Sequence, residues 1–463
     1  MSLKKIALFF ALLLAAAAAV AGEIDAFVDQ TLREIPGTIP SIAVVVVQNG
    51  KVVYLREPNT PYYIGSTTKA YTGLACAILA QRGKLDLDAP VTKYLPEAKL
   101  EKAPTLRAFL THTSGIENDP IGWRTAYTGE HTPALLVSLL GTASRPAKPG
   151  FQYDNLGYVV ASLVIERVTG KPWQDALGEL VFAPLGMRHT TAYMSKAGKL
   201  PPGYLFSGTS SLVKNDKMMH AAGGIVTTAS DLARWLEANV TKGRLDGKQR
   251  IPAAAFEEAQ RLQVPVERAR SVIPTRGYGF GWYQGDYDGE EILYHGGGFP
   301  GWHSLFTFMP KRGIAVGMMT NTSSPVGAGL GDKIVSGIYD RLLGKPAPTV
   351  AELKEQVEKR KQAMLDDAAK RAQRPWMLKH PNAAYTGRYE NPRYGTITIE
   401  ERGGKLYASL ANLRGVLEAF TQPETARVEF VPEQGDVLTF HFADDGTIDA
   451  LKWDKEEFRR VKP

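Results

Sequence analysis

The sequence predicts an α+β protein: an antiparallel sheet flanked by helices plus a helical lobe, followed by a small all-β barrel domain. Three observations carry that expectation. From Gly22 to about Gly344, β-branched runs stand toward both ends and helix-period segments lie between them. Lys345-Pro346-Ala347-Pro348 then breaks the pattern ahead of a charged helical stretch. From Tyr385 the texture turns to short alternating runs separated by turn residues, at the regular spacing of a barrel or sandwich.

Taken in order, Met1 to Ala21 reads as an export signal. Lys4 and Lys5 supply the positive start, Ile6 to Val20 is an unbroken apolar run, and Ala19-Val20-Ala21 is a small-x-small cleavage site. The run is short for a membrane span, so no stable membrane anchor beyond the signal is expected, and the location is periplasmic or secreted. Ile24 to Ile35 has helical spacing. Ile42–Val47 and Val52–Leu55 flank Asn49-Gly50, the turn pair of a tight hairpin, and both runs are apolar enough for a sheet covered by helices. Ser66 opens a helix through Arg82, with Gly83 as its stop. Gly157 to Thr169 repeats the helical pattern up to Gly170, and Thr228 offers a cap for the segment ending at Val240.

Leu305–Met309 and Ile314–Thr320 form a second hairpin through Pro310-Lys311-Arg312-Gly313, followed by a helix over Leu330–Leu343. Thr349-x-x-Glu352 is a capping box for a helix running to about Arg374. Six strands are then expected: Thr396–Glu400, Leu406–Leu410, Val428–Val431, Val437–Phe442, Ile448–Trp453 and Phe458–Val461. The organisation is therefore a signal over 1–21, an α+β domain over 22–345, a charged helical linker over 346–380 and a β-barrel over 381–463.

Composition narrows the function classes. Apolar content of 44% and charged content of 22% are those of an ordinary globular protein. The net charge of +7 is spread along the chain, with no Lys/Arg block interleaved with aromatics, so nucleic-acid binding is not expected. The only cysteine, Cys76, lies among apolar residues and reads as a packed thiol. His189, His220 and His303 lack ligand spacing, and no phosphate-cradling Gly-rich loop occurs, so neither a metal nor a cofactor is expected.

Three spaced signals carry chemistry: Ser66-Thr67-Thr68-Lys69, Tyr153-Asp154-Asn155 and His295-Gly296-Gly297-Gly298. Serine attacks poorly until a base takes its proton. At i and i+3 of a helix, the Lys69 amine can lie beside the Ser66 hydroxyl. A buried lysine near other cations can act as that base. Tyr153 can relay a proton to a leaving group, and the Asn155 amide can hold both the lysine and a substrate carbonyl. Glycines 296–298 on an edge strand allow close approach of a substrate backbone. The backbone N–H groups of Ser66 and Gly298 are assigned to an oxyanion hole. Ser211-x-x-Lys214 has the same spacing as the first signal, but it lies in a polar Gly/Ser stretch without a following apolar helix and is set aside.

These signals, in this order, resemble those of class C serine β-lactamases and their penicillin-recognising relatives, including DD-peptidases, D-aminopeptidases and family esterases. Further matches are Leu110-Thr111-His112-Thr113-Ser114-Gly115-Ile116, Phe151-x-Tyr153-x-Asn155-x-Gly157-Tyr158, Pro184-Leu185-Gly186-Met187, Ala222-Gly223-Gly224 and Tyr278-Gly279-x-Gly281-Trp282. The resemblance covers roughly Ile24 to Leu343 and implies a β-lactamase/transpeptidase-like fold with the site between sheet and helical lobe. It implies Ser66 as the acylated nucleophile, Lys69 and Tyr153 as the base system and Asn155 as an orienting group. The C-terminal strands are similar to the lipocalin-like barrel often appended to such hydrolases. His112 is expected to be structural.

Two departures shape the expected activity. The segment between Tyr54 and Ile64 is shorter than usual, which opens one wall of the cleft. The third motif is His-Gly-Gly where many β-lactamases have Lys-Thr-Gly. Without that ammonium and hydroxyl, a substrate carboxylate is held less firmly. The expectation is a secreted serine hydrolase acting on a small-molecule or peptide substrate, with D-aminopeptidase-like, amidase or esterase activity. The alternatives are a β-lactamase or DD-carboxypeptidase, and a catalytically weak penicillin-binding or sensor module. A homo-oligomer in which the C-terminal barrel of one subunit caps another's cleft is a further expectation. Substrate choice is referred to the loops Glu117–Pro133 and Gln263–Arg276.

Overall fold

The computed structural model describes residues 3–101, 103–268 and 273–461, with the side chains of the first helix described from residue 19 onward. Helix α1 (Leu3–Glu34) runs through the expected cleavage site. Most of the side chains on which the export reading rests lie outside the described residues, as does part of the loop Gln263–Arg276. Among the described residues no helix is long and apolar enough to cross a membrane. Strands β1 (Ile42–Gln48) and β2 (Lys51–Arg56) form the expected hairpin, with Asn49 and Gly50 both at positive φ. Helices α2 (Thr68–Gln81), α3 (Leu156–Thr169) and α4 (Ala229–Val240) build the lobe and pack it onto the sheet.

Strands β3 (Val264–Arg268), β4 (Thr275–Tyr278), β5 (Tyr283–Tyr287), β6 (Glu290–Phe299), β7 (Trp302–Met309) and β8 (Ile314–Thr320) follow in sequence. Helices α5 (Pro325–Leu342) and α6 (Val350–Ala372) complete this part, and Thr349 and Glu352 make the expected capping box at the start of α6. The sheet is antiparallel in the order β3-β4-β5-β6-β7-β8-β1-β2. Its two faces bury separate cores. Ala43, Val45, Phe306, Phe308 and Met319 face α2 and the lobe. Val44, Val46, Val316 and Met318 face α1, α5 and α6. Burial on both faces is why Ile42–Val47 reads as an unbroken apolar run. Strand β2 departs from the expectation: it is the edge strand, and Val52 and Leu55 remain exposed.

The C-terminal part is a nine-stranded, nearly closed antiparallel sheet between Gly387 and Arg460, packed around Tyr385, Tyr389, Phe440, Trp453 and Phe458. All six expected strands are present. Three others were not foreseen: Gly387–Asn391, Leu413–Val416 and Glu418–Ala419. The first turns Asn391 inward, where its amide is bonded to Glu456 and the Glu457 carbonyl (2.8 Å), so a polar residue holds a position that the apolar pattern would have marked. This sheet touches the lobe within the same chain. Trp453 stands edge-on to Trp123 at 4.6 Å, Arg145 pairs with Glu456, and Arg124 Nε donates to the Arg393 carbonyl at 2.7 Å.

Candidate active site

Twelve of the fourteen residues of α2 are buried, which gives it the all-round apolar character of a central helix. Ser66 is not its first residue. It sits in a 3₁₀ turn, Gly65–Thr67, that precedes the helix and is tied by Thr67 Oγ1 donating to the Ile64 carbonyl at 2.9 Å. The turn presses against β6, and a Cβ on Gly65 (φ +54°) would stand 2.6 Å from the Gly298 nitrogen. That contact brings the peptides of Ser66 and Gly298 together, and only glycine permits it. A second close approach fixes the other side of α2. Gly281, at φ +78°, lies where any side chain would run into Ala70, which accounts for the glycine spacing of Tyr278-Gly279-Phe280-Gly281-Trp282.

Lys69 is fully buried, and its amine makes three hydrogen bonds. Nζ donates to Ser66 Oγ at 3.2 Å, Asn155 Oδ1 at 2.8 Å and the Ala222 carbonyl at 2.9 Å. When the amine gives up one proton and keeps its bonds to Asn155 and Ala222, its lone pair faces the serine. This can remove the proton from Ser66. The Asn155 side chain is available because Asp154 takes over the helix start: Asp154 Oδ1 accepts from the Gly157 N–H at 3.3 Å, and Asn155 at the N-cap position of α3 makes no cap bond.

Tyr153 is half-buried, with its ring face 4.8 Å from Lys69 Nζ and its ring tilted against those of His112 (centroids 4.6 Å apart) and His295 (5.9 Å). The fold therefore gathers Ser66, Lys69, Tyr153, Asn155, His295 and the Gly296–Gly298 strand around one point. Pairing of β6 with β5 ends at Tyr294, so His295–Phe299 has a strand partner on the β7 side only, leaving an edge open to a substrate. Gly298 is exposed on that edge and Gly297 is buried.

His295 itself is 2% exposed. Its Nδ1 lies 2.7 Å from the Gly296 carbonyl and its Nε2 3.3 Å from the Tyr278 hydroxyl. Tyr278 and Tyr158 are fully buried, and desolvation pushes both phenols well above their ordinary range, so they stay protonated. A cavity of about 370 Å³ is lined by Tyr153, Tyr283, His295, Gly296, His303 and Asp332 and reaches Thr307 and Tyr339; Ser66, Lys69 and Gly298 are not among its walls. His303 Nε2 and Asp332 Oδ1 meet there at 2.7 Å. A larger hollow of about 910 Å³ on the far side of the lobe, bounded by Leu95, Val137 and Arg167, contains none of the motif residues.

Of the four aromatics considered for the cleft, Tyr283 lines this cavity. Trp282 is core, stacked on Trp235, and Trp302 packs on Tyr62. Phe299 packs on Tyr63 and under the Lys214 amine (4.4 Å). That lysine is also buried. It donates to the carbonyls of Ala126 (2.8 Å) and Met218 (3.0 Å), and burial lowers its pKa to about 7. His220, buried nearby, is held well below its ordinary pKa by burial and by the charges of Lys214 and Lys69.

Sequence reasoning assigned no role to the Ala222 carbonyl, Tyr278 or Lys214, and treated His112 as structural. Three of the four sit in motifs visible in the sequence, but nothing in spacing says which atom of Ala222-Gly223-Gly224 would meet a lysine. No group of three or more His, Cys, Asp or Glu able to hold a metal occurs among the described residues.

Comparison with known proteins bears on the family and the fold. A family model described as Beta-lactamase matches residues 28–336, and one for a domain of unknown function matches residues 373–462. The unguisins hydrolase ungD′ of Aspergillus campestris is 28% identical over 398 residues, covering 76% of this chain and 71% of that protein. The chain spans 71% of the length of that protein and 63% of the protein flp of Staphylococcus aureus, to which it is 26% identical over 331 residues. A D-stereospecific amidohydrolase from Streptomyces sp. superposes with a TM-score of 0.54 at 25% identity, over 67% of this chain and 97% of the other. The octameric penicillin-binding protein homologue from Pyrococcus abyssi gives a TM-score of 0.58 at 21% identity, over 94% of this chain and 99% of the other. It thus shares the fold through the C-terminal sheet.

Proposed function

The chain belongs to the beta-lactamase family, whose members are serine hydrolases, and on that premise we propose that it cleaves small amides or esters through an acyl-enzyme on Ser66. The observation that carries this reading is the Lys69 amine, buried and 3.2 Å from Ser66 Oγ, with Asn155 and Ala222 holding its other protons.

In the proposed cycle Lys69, with Tyr153, takes the Ser66 proton as Oγ attacks the substrate carbonyl carbon. The carbonyl oxygen, now negative, is received by the N–H groups of Ser66 and Gly298. The tetrahedral species collapses, the bond to the leaving nitrogen or oxygen breaks, and Tyr153 returns the proton to that atom. Water then adds to the acyl carbon, its proton passes to the same base system, and the acid leaves with Ser66 restored.

Amides and esters without a carboxylate near the leaving group are the proposed substrates, D-aminoacyl amides and short peptides foremost. The third motif places a buried imidazole, not an ammonium, at the strand edge, which supports this choice over β-lactams and carboxypeptidase substrates. The likeness to an amidohydrolase acting on D-configured substrates supports it further. Export is proposed from the N-terminal composition, and N-terminal sequencing of the mature protein checks it. A homo-oligomer is proposed from the octameric relative, to be checked by solution mass.

The decisive experiment treats the folded protein with a fluorophosphonate, maps the adduct and compares turnover of D-alanine p-nitroanilide, p-nitrophenyl esters and nitrocefin by wild type and Ser66→Ala. The expected result is an adduct on Ser66 and turnover of the first two classes above nitrocefin, all lost in the variant. An adduct elsewhere, or equal turnover by the variant, rejects the mechanism.

A further inference from the structure

His112 occupies a place that a merely structural histidine would not need. It follows the short helix Leu106–Leu110 in the left-handed region (φ +58°), and its carbonyl accepts from the Gln152 N–H at 2.8 Å. Its ring Nδ1 accepts from the Asp154 N–H at 3.2 Å. The residues on either side of Tyr153 are thus both bonded to this one residue, while its ring packs against the Tyr153 ring at 4.6 Å. The other ring nitrogen, Nε2, lies 3.3 Å from the Tyr278 hydroxyl, and that hydroxyl lies 3.3 Å from His295 Nε2. The second and third motifs, far apart in sequence, are joined through two side chains.

We propose that His112 and Tyr278 are positioning residues for the hydrolysis proposed above: they clamp Tyr153 and hold His295 uncharged with its proton on Nδ1. The directions of the hydrogen bonds carry the argument. The Asp154 carboxylate stands 3.5 Å from His112 Nδ1, farther than the peptide N–H at 3.2 Å that takes its lone pair. A nitrogen that accepts from a peptide N–H has no proton of its own, so in the proposed arrangement His112 is neutral, its proton is on Nε2, and it donates to the Tyr278 oxygen. At the other end the Gly296 carbonyl can only accept, so His295 Nδ1 donates to it. Between them the single Tyr278 proton goes to His295 Nε2, which leaves that ring without a charge. Tyr158, which also touches the Tyr278 hydroxyl, spends its own proton on the Leu110 carbonyl at 2.9 Å. The competing arrangement sends the Tyr278 proton to the Tyr158 oxygen and makes His295 a cation. The two arrangements differ at one observable atom.

A neutral His295 has a consequence for substrate class. β6 is an internal strand of the sheet, not the edge strand expected from its glycines, and only its 295–299 stretch lacks a partner on the β5 side. That stretch then offers no cation to a carboxylate on the leaving side, so the enzyme favours acyl groups whose leaving part is uncharged there. A positioned Tyr153 affects the chemical step more than binding.

The test begins with the wild-type protein carrying ¹⁵N-labelled histidine, its ring signals assigned with His112→Asn and His295→Asn. Expected are a His112 ring protonated on Nε2 alone and a His295 ring protonated on Nδ1 alone, the less common form. A doubly protonated His295, or one protonated on Nε2 alone, overturns the proposal. Tyr278→Phe keeps the ring and removes the proton donor. His295 should then keep its Nδ1 proton on the Gly296 carbonyl while its Nε2 signal, deprived of the donor, shifts, and kcat toward D-alanine p-nitroanilide should fall roughly a hundredfold with KM changed far less. An unchanged His295 spectrum in that variant, or a loss confined to KM, also overturns it. The spectra do not depend on turnover. A silent substrate panel with both tautomers in place would reject the hydrolase reading and leave the assignment of the two rings standing.

Discussion

Ser66/Lys69 and Ser211/Lys214 have the same spacing, and both lysines end buried, yet their surroundings differ in kind. At the first pair the chain turns into α2, so the serine and the amine share a face and meet at 3.2 Å. At the second the chain is irregular. Ser211 points to solvent while Lys214 turns inward alone, between two backbone carbonyls and the rings of Phe299 and Tyr63. One lysine has a serine hydroxyl within hydrogen-bond reach, and the other lies between backbone carbonyls and aromatic faces. Burial of a lysine therefore marks no active site by itself. What distinguishes the first is the company of a hydroxyl, an amide and an open strand edge.

The largest test of this contrast is Ser66→Ala, expected to lower turnover on the order of 10⁴-fold or more while leaving thermal stability close to wild type. A variant that kept a tenth of its activity would erase the distinction. Lys69→Met comes next. Removing the proposed base should cost roughly 10²- to 10⁴-fold in kcat, and the Asn155 and Ala222 acceptors left without their donor should cost about 1–3 kcal/mol in denaturant unfolding.

Lys214→Met sharpens the comparison through pH. The native amine has a pKa of about 7, below its unfolded value, so the unfolded chain binds more protons above pH 7 and wild-type stability should rise with pH there. Between pH 7 and pH 8.5 this contribution amounts to about 1–2 kcal/mol, and the methionine variant should lose that rise. His220 acts in the same sense at lower pH. Its depressed pKa adds stability as pH climbs toward the ordinary imidazole range, and this slope should survive in the variant. A wild-type unfolding free energy that is flat or falling over pH 7–8.5 would contradict the burial argument. The smallest effect is expected from Ser211→Ala: an exposed hydroxyl in a loop should change stability by less than about 0.5 kcal/mol and turnover not at all.

Much of the fold was legible because local chemistry and burial agree. Asn49-Gly50 made the hairpin, Thr349 and Glu352 made the capping box, and Gly170 ended α3 in the left-handed region. Legibility failed where a polar residue faces inward, as at Asn391, or where an apolar run lies on an edge, as at Val52 and Leu55. In the candidate site, the i, i+3 relation of Ser66 and Lys69 could be read from helix geometry. The 3₁₀ turn that carries Ser66 could not, since it depends on Gly65 meeting β6 from a distant part of the chain.

What the sequence alone determined is the set of reactive groups and their local conformations, because helix periodicity, turn chemistry and caps act over a few residues. The tertiary structure alone decided which groups meet. Ala222 reaches Lys69, His112 joins Tyr153 to Tyr278 and His295, and Lys214 ends buried without a hydroxyl beside it. The physical reason is that these contacts join segments scores of residues apart. Their partners are selected by the packing of sheet against lobe, which no local pattern encodes.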